Sequence, residues 1–157
     1  MTDFDDDSQP ATPALQRIGT RLALAGYIPF LVLALWLYAI AVDHPWRADT
    51  IMLLKTYGAV ILSFLGGIRF GLAVASGEGS DRRALILSMV PALTAWAALW
   101  IAEPFAFALL AAAFAAHGAW DNLAAYAGAA PAWFGRMRVW LTMLVVGAMV
   151  LAFLATA

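Results

Sequence analysis

Apolar residues run along this chain in five long blocks, and charged residues fall almost entirely between them. Leu22 to Val42 is uncharged over 21 residues, Thr56 to Ser76 is interrupted only by Arg69, and Ala84 to Ala102 is uncharged over 19. Pro104 to Trp120 adds 17 residues with His117 as its one ionisable group, and Val139 to Ala157 is the fifth block. About 20 mostly apolar residues are needed to cross a hydrocarbon core about 30 Å thick. The pattern therefore predicts an all-α integral membrane bundle of five transmembrane helices, at about 22–42, 56–76, 84–102, 104–120 and 139–157.

Only Glu103 separates the third and fourth blocks. One helix from Ala84 to Trp120 would be about 55 Å long, far more than a bilayer core, so the chain must turn there. Pro104 suits the first turn of the next helix, where no backbone N–H is needed. Pro29 and Pro91 lie inside spans and predict kinks, because each removes a helical hydrogen bond. The segment Asp121 to Met137 is the longest connector and is expected to lie along the membrane interface.

Basic residues set an expected orientation. With the N-terminus cytoplasmic, the inner side holds Arg17, Arg21, Arg82, Arg83, Arg136 and Arg138, and the outer side holds Arg47 and Lys55. The C-terminus is then periplasmic. Residues 1–16 read as an acidic, disordered cytoplasmic tail ahead of a transmembrane domain over 17–157, and they lack the pattern of a signal peptide. Trp46 and Trp100 are expected at the outer interface, and Trp120, Trp133 and Trp140 at the inner one.

Composition supports the lipid reading. The chain is 64% hydrophobic and 12% charged, against about 45–50% and about 25% in soluble domains. Its mean hydropathy is +0.84. No cysteine is present, which excludes disulfides, thiol catalysis and cysteine metal sites.

In the second block, counting by fours gives Ala59, Ser63, Gly67, Gly71 and Ala75. Such a small-residue ridge, with Gly67 and Gly71 as a GxxxG element and Gly66 leaving room beside it, predicts close helix packing, within one chain or between copies. Arg69 points nearly opposite the ridge at about 100° per residue. Two readings of it stay open. It can snorkel to the headgroups or make a structural ion pair, or it can join His117 and Asp121, which are one helical turn apart, in a polar cluster at the cytoplasmic end. That cluster could bind an anion, hold a quinone-like head or relay a proton.

Other chemistry has no signature. GxSxG, HExxH, phosphate-loop and CxxC motifs are missing, as is a basic stripe for nucleic acid. The two histidines belong to opposite ends of the bundle and cannot form one metal site. The chain thus reads as a non-enzyme without metal or cofactor.

Three stretches, "LALAGYIPFL" (Leu22 to Leu31), "YGAVILSFLGGIRFG" (Tyr57 to Gly71) and "PAWFGRMRVWLT" (Pro131 to Thr142), together resemble the domain of unknown function 3429 family of transmembrane protein 69-like membrane proteins. Tyr57, Gly66, Gly67, Arg69, Gly71, Asp121, Pro131, Trp133 and Arg138 match its pattern, whereas Phe70 stands where an aromatic, often tryptophan, is usual. The resemblance implies a small multi-helix protein of the bacterial inner membrane and assigns no reaction. The leading expectation is an accessory, assembly or regulatory subunit that works by helix association with the bilayer around it, and with a membrane-protein partner or a second copy. The alternative is a binder or carrier of an ion, small molecule, quinone or lipid at Arg69, His117 and Asp121.

Overall fold

The structure, a computed structural model, describes residues 13–75, 82–126 and 132–157. Six α-helices follow one another: α1 (Pro13–Ala39), α2 (Arg47–Ala75), α3 (Arg82–Ser88), α4 (Val90–Trp100), α5 (Phe105–Tyr126) and α6 (Ala132–Thr156). No strand occurs among the described residues. Since α3 and α4 are one rod broken at Met89, the architecture is the expected bundle of five rods. Four of these, at 16–39, 47–75, 82–100 and 133–156, are long and apolar enough to cross a membrane. The fifth, α5, falls short because His117, Asp121 and Asn122 dilute its C-terminal end.

Helix ends outrun the apolar blocks. Residues 1–12 of the expected tail lie outside the described residues, but Pro13 to Gln16 form the first turn of α1. Likewise α2 starts nine residues before Thr56, and its 29 residues reach about 43 Å. The expected interfacial connector is also corrected: Asp121 to Tyr126 continue α5, and Ala132 to Met137 open α6. Hydropathy marks where lipid begins, whereas residues such as Ala, Leu, Gln and Arg carry a helix past that level.

The two interior prolines differ in outcome. Helix α1 continues through Pro29. At Pro91 the rod breaks: Met89 N–H bonds Ile86 O at 3.2 Å, and Pro91 falls in the first turn of α4, where its missing donor costs nothing.

Packing on α2 uses a ridge one residue away from the expected one. Leu54, Gly58, Leu62 and Gly66 are buried at successive fours, whereas Gly67 and Gly71 are exposed, and a Cβ on either would meet nothing within 4 Å. Of the other expected positions, Ala59 is buried, Ser63 half-buried and Ala75 exposed. At Gly66 a Cβ would stand 2.7 Å from the Ser88 carbonyl and 3.3 Å from Pro91 Cβ. The broken rod therefore sits directly against this glycine. A central layer of Phe30, Leu62, Phe107, Leu110 and Met149 closes the bundle, with Phe30 edge-on to both Tyr57 and Phe114. Leu22, Val60, Phe64, Trp96, Met143 and Leu154 point outward, the distribution expected of a chain solvated by lipid.

At the end where α1 and α6 finish, the two basic residues are consumed by architecture. Arg47 donates to the Leu37 and Ile40 carbonyls and to that of Ala155, and so caps two helix C-termini. Lys55 donates to Ile101 O at 2.9 Å and pairs with Glu103 at 2.7 Å, beside the four-residue turn that leads into α5. In the nearby turn His44 Nδ1 accepts the Trp46 N–H at 3.2 Å. Trp46 and Trp100 are exposed here and Trp140 at the opposite end, as an aromatic belt requires. Trp120 and Trp133 are not in that belt but turn toward the protein.

Candidate functional site

Helix α2 delivers Arg69 on the inward side, three residues after the buried Gly66, whereas Gly67 and Gly71 face outward. Helix α5 presents His117 and Asp121 on one face at i, i+4. Helix α6 supplies Arg138. The three residues expected to cluster are brought together, and Arg138, known from the sequence only as a motif position, completes the group.

The Asp121 carboxylate is shared between the two guanidiniums. Its Oδ1 accepts Arg69 Nε at 2.8 Å and Nη2 at 2.7 Å, and its Oδ2 accepts Arg138 Nε at 2.6 Å. Arg69 Cζ lies 4.7 Å from the Trp120 ring centroid, a cation–π contact that explains why this tryptophan is half-buried. So Arg69 does not snorkel; it makes the structural ion pair and belongs to the cluster. Two buried guanidiniums against one carboxylate leave one positive charge in excess.

His117 is 4% exposed and has no hydrogen-bond partner on either ring nitrogen. Its Nδ1 is 3.4 Å from Asp121 Oδ2, outside hydrogen-bonding geometry. Buried polar atoms are almost always satisfied, so a buried histidine with neither ring nitrogen hydrogen-bonded stands out among the polar groups of this bundle.

That space is a cavity of about 370 Å³ between α1, α2, α5 and α6. Its polar wall is Arg69, His117, Asp121 and Arg138; its apolar walls include Tyr27, Phe30, Ile61, Phe114 and Leu141. Leu22, Phe64, Ile68 and Leu72, on α1 and α2, line it while remaining exposed, so it opens sideways toward lipid. A pocket of this size, mostly apolar with a few convergent polar groups, has the form of a small-molecule site. Two helix contacts frame it. Tyr57 donates its hydroxyl to Gly26 O at 2.7 Å, and Gly118 receives the Thr142 side chain so closely that a Cβ would stand 2.9 Å from Thr142 Cβ.

The remaining motif residues lie elsewhere. Trp133 packs near Gly19 on α1, with its Nε1 buried and unpaired. Pro131 is outside the described residues. Arg138 could have been found from the sequence only as a second cation, on α6 where Arg69 is on α2, that needed an acid. Nothing in the local pattern separates it from Arg136, which is exposed.

Comparison with known proteins agrees with this picture. Transmembrane protein 69 of Xenopus tropicalis is 35% identical over 135 residues, which make up 82% of this chain and 51% of that protein. The chain thus spans about half the length of this curated relative. No solved structure matches. The family described as "Protein of unknown function (DUF3429)" matches residues 15–154, nearly the whole of the five-rod bundle and all four residues of the polar wall, and the chain belongs to that family.

Proposed function

We propose that this membrane protein binds a small amphipathic molecule inside the bilayer, its oxygen-bearing head against Arg69, His117 and Arg138 and its apolar body along Phe30, Ile61 and Phe114. The observation that carries this reading is the buried His117, in contact with Asp121 but with neither ring nitrogen hydrogen-bonded, on the wall of a cavity with excess positive charge. A quinone carbonyl or a fatty-acid carboxylate fits such donors. The sideways opening supports entry from lipid. We read the role as binding or carriage.

Titration of the detergent-purified protein with a decyl-chain quinone and with palmitate tests it. One of the two should bind the parent, lose binding in Arg69→Ala, keep part of it in Arg69→Lys, and weaken in His117→Phe. Equal affinity in the parent and all three variants would overturn the reading.

The accessory role has one specific support as a second reading: the Gly67 and Gly71 face is open and free for another helix. Cross-linking in membranes separates the two, because association through that face is lost in Gly67→Leu/Gly71→Leu while ligand binding is kept. We also place the protein in the bacterial inner membrane with its N-terminus cytoplasmic. Arg17, Arg21 and Arg136 gather at one end, whereas Arg47 and Lys55 at the other serve helix caps. Reporter fusions to each terminus should report opposite compartments.

A further inference from the structure

The end of the bundle where α1 begins carries a second recess, separate from the cavity above. Pro13, Gln16, Arg17, Thr20 and Arg21 form one stripe of α1 at helical spacing, and Trp133 and Arg136 of α6 face it across an open groove. None of these residues lines the central cavity. Arg17, Arg21 and Arg136 are exposed and have no carboxylate partner among the described residues, unlike Arg69 and Arg138, which both pair with Asp121. Thr20 Oγ1 donates back to Gln16 O at 2.9 Å. Trp133 lines the groove, and its indole N–H is buried without a hydrogen-bond partner.

We propose that this groove binds the phosphate of an anionic phospholipid headgroup. Three guanidiniums from two helices surround one recess, and guanidiniums match phosphate oxygens with paired donors. The indole supplies the further N–H that a buried tryptophan normally satisfies. Depth favours a lipid over free phosphate, because the uncharged run of α1 starts at Leu22, one residue past Arg21, and Leu22, Leu24 and Ile28 below it are exposed to acyl chains. The groove therefore lies where headgroups lie.

The test uses the full chain in mild detergent, stripped of lipid and examined by native mass spectrometry with added phosphatidylglycerol, phosphatidylcholine of the same acyl chains, or inorganic phosphate. Phosphatidylglycerol should bind the parent tightly and phosphatidylcholine weakly. Each basic residue near an anionic lipid is worth roughly fivefold, so Arg17→Gln/Arg21→Gln/Arg136→Gln should bind phosphatidylglycerol at least about tenfold more weakly. The triple lysine variant, which keeps the charge but loses the paired donors, should bind between the parent and the glutamine variant, and Trp133→Phe should lose about two- to threefold. Thermal unfolding of the variants serves as the folding control. Equal phosphatidylglycerol binding by the parent and the folded glutamine variant overturns the proposal, as does equal binding of the two lipids by the parent. Inorganic phosphate that binds as tightly as the lipid overturns the headgroup assignment.

Discussion

Arg138 Nε lies 2.6 Å from Asp121 Oδ2 across the α5–α6 contact, while the other oxygen of the same carboxylate is held by Arg69 of α2. One acid thereby joins three helices, with its side chain only 7% exposed. Removing one member of a buried ion pair costs about 3–5 kcal/mol, chiefly because the partner is left charged and unpaired. Asp121→Asn strands two arginines and should cost this much in reversible unfolding in detergent. Arg69→Met should cost less, since Asp121 keeps Arg138. The combined Arg69→Met/Asp121→Leu/Arg138→Met variant should recover much of the stability and yet lose ligand binding, which separates architecture from function.

Gly66 and Gly67 are neighbours with opposite expected responses. Gly66→Ala forces a Cβ into the Ser88 carbonyl, a backbone atom that cannot rotate away, and should lower stability by about 1–3 kcal/mol. Gly67→Ala meets open space and should stay within about 0.5 kcal/mol of the parent. Thermal midpoints of the two variants in one detergent decide it.

At Gly118 the obstruction is the Thr142 side chain, with Cγ2 2.6 Å and Cβ 2.9 Å from an added Cβ. Threonine is stiff at χ1, and its Cβ is fixed to the backbone. Gly118→Ala should therefore be destabilising by about 1–3 kcal/mol. Adding Thr142→Gly should restore part of the loss, a coupling that a double-mutant cycle measures directly.

Glu103 lies between α4 and α5, outside the spans. Burial alone would raise its pKa, but the hydrogen bond from Lys55, a backbone hydrogen bond and the Lys55 charge together hold it below the ordinary value of 4.5. The folded state thus binds this proton less readily than the unfolded one. The resulting stability is present above the ordinary value and is lost as pH falls through the lowered one. Between about pH 7 and about pH 3 the stability difference between the parent and Glu103→Gln should shrink, and in a Lys55→Met background it should become nearly flat.

The central cavity gives the fifth expectation. Ala23→Phe places a ring in the wall on α1 without touching the ion pairs. It should abolish binding of the decyl-chain quinone or palmitate while the thermal midpoint stays near that of the parent. Unchanged affinity in a folded variant would place the ligand elsewhere.

Much of the molecule could be read from one dimension. Blocks of about 20 apolar residues have few ways to satisfy their backbone in lipid, so the helical class, the five rods and the turn at Glu103 follow from pattern and length alone. Arg69, His117 and Asp121 could be grouped because alternating rods return the ends of α2 and α5 to one side of the membrane.

Rotation and pairing were decided only by the assembled bundle. The ridge choice on α2 differs by one residue, about 100° of helix, and several small residues stand on either side of it. What chose between Gly66 and Gly67 is the break at Pro91 on a different rod, which no local pattern on α2 encodes. Arg136 and Arg138 look alike along the chain, but only Arg138 faces Asp121. The cavity and the buried His117 on its wall are likewise properties of four helices at once. The sequence determined which segments leave water for lipid, because burial of apolar surface adds residue by residue; tertiary structure decided which faces meet, because close packing and charge pairing depend on neighbours that lie far apart along the chain.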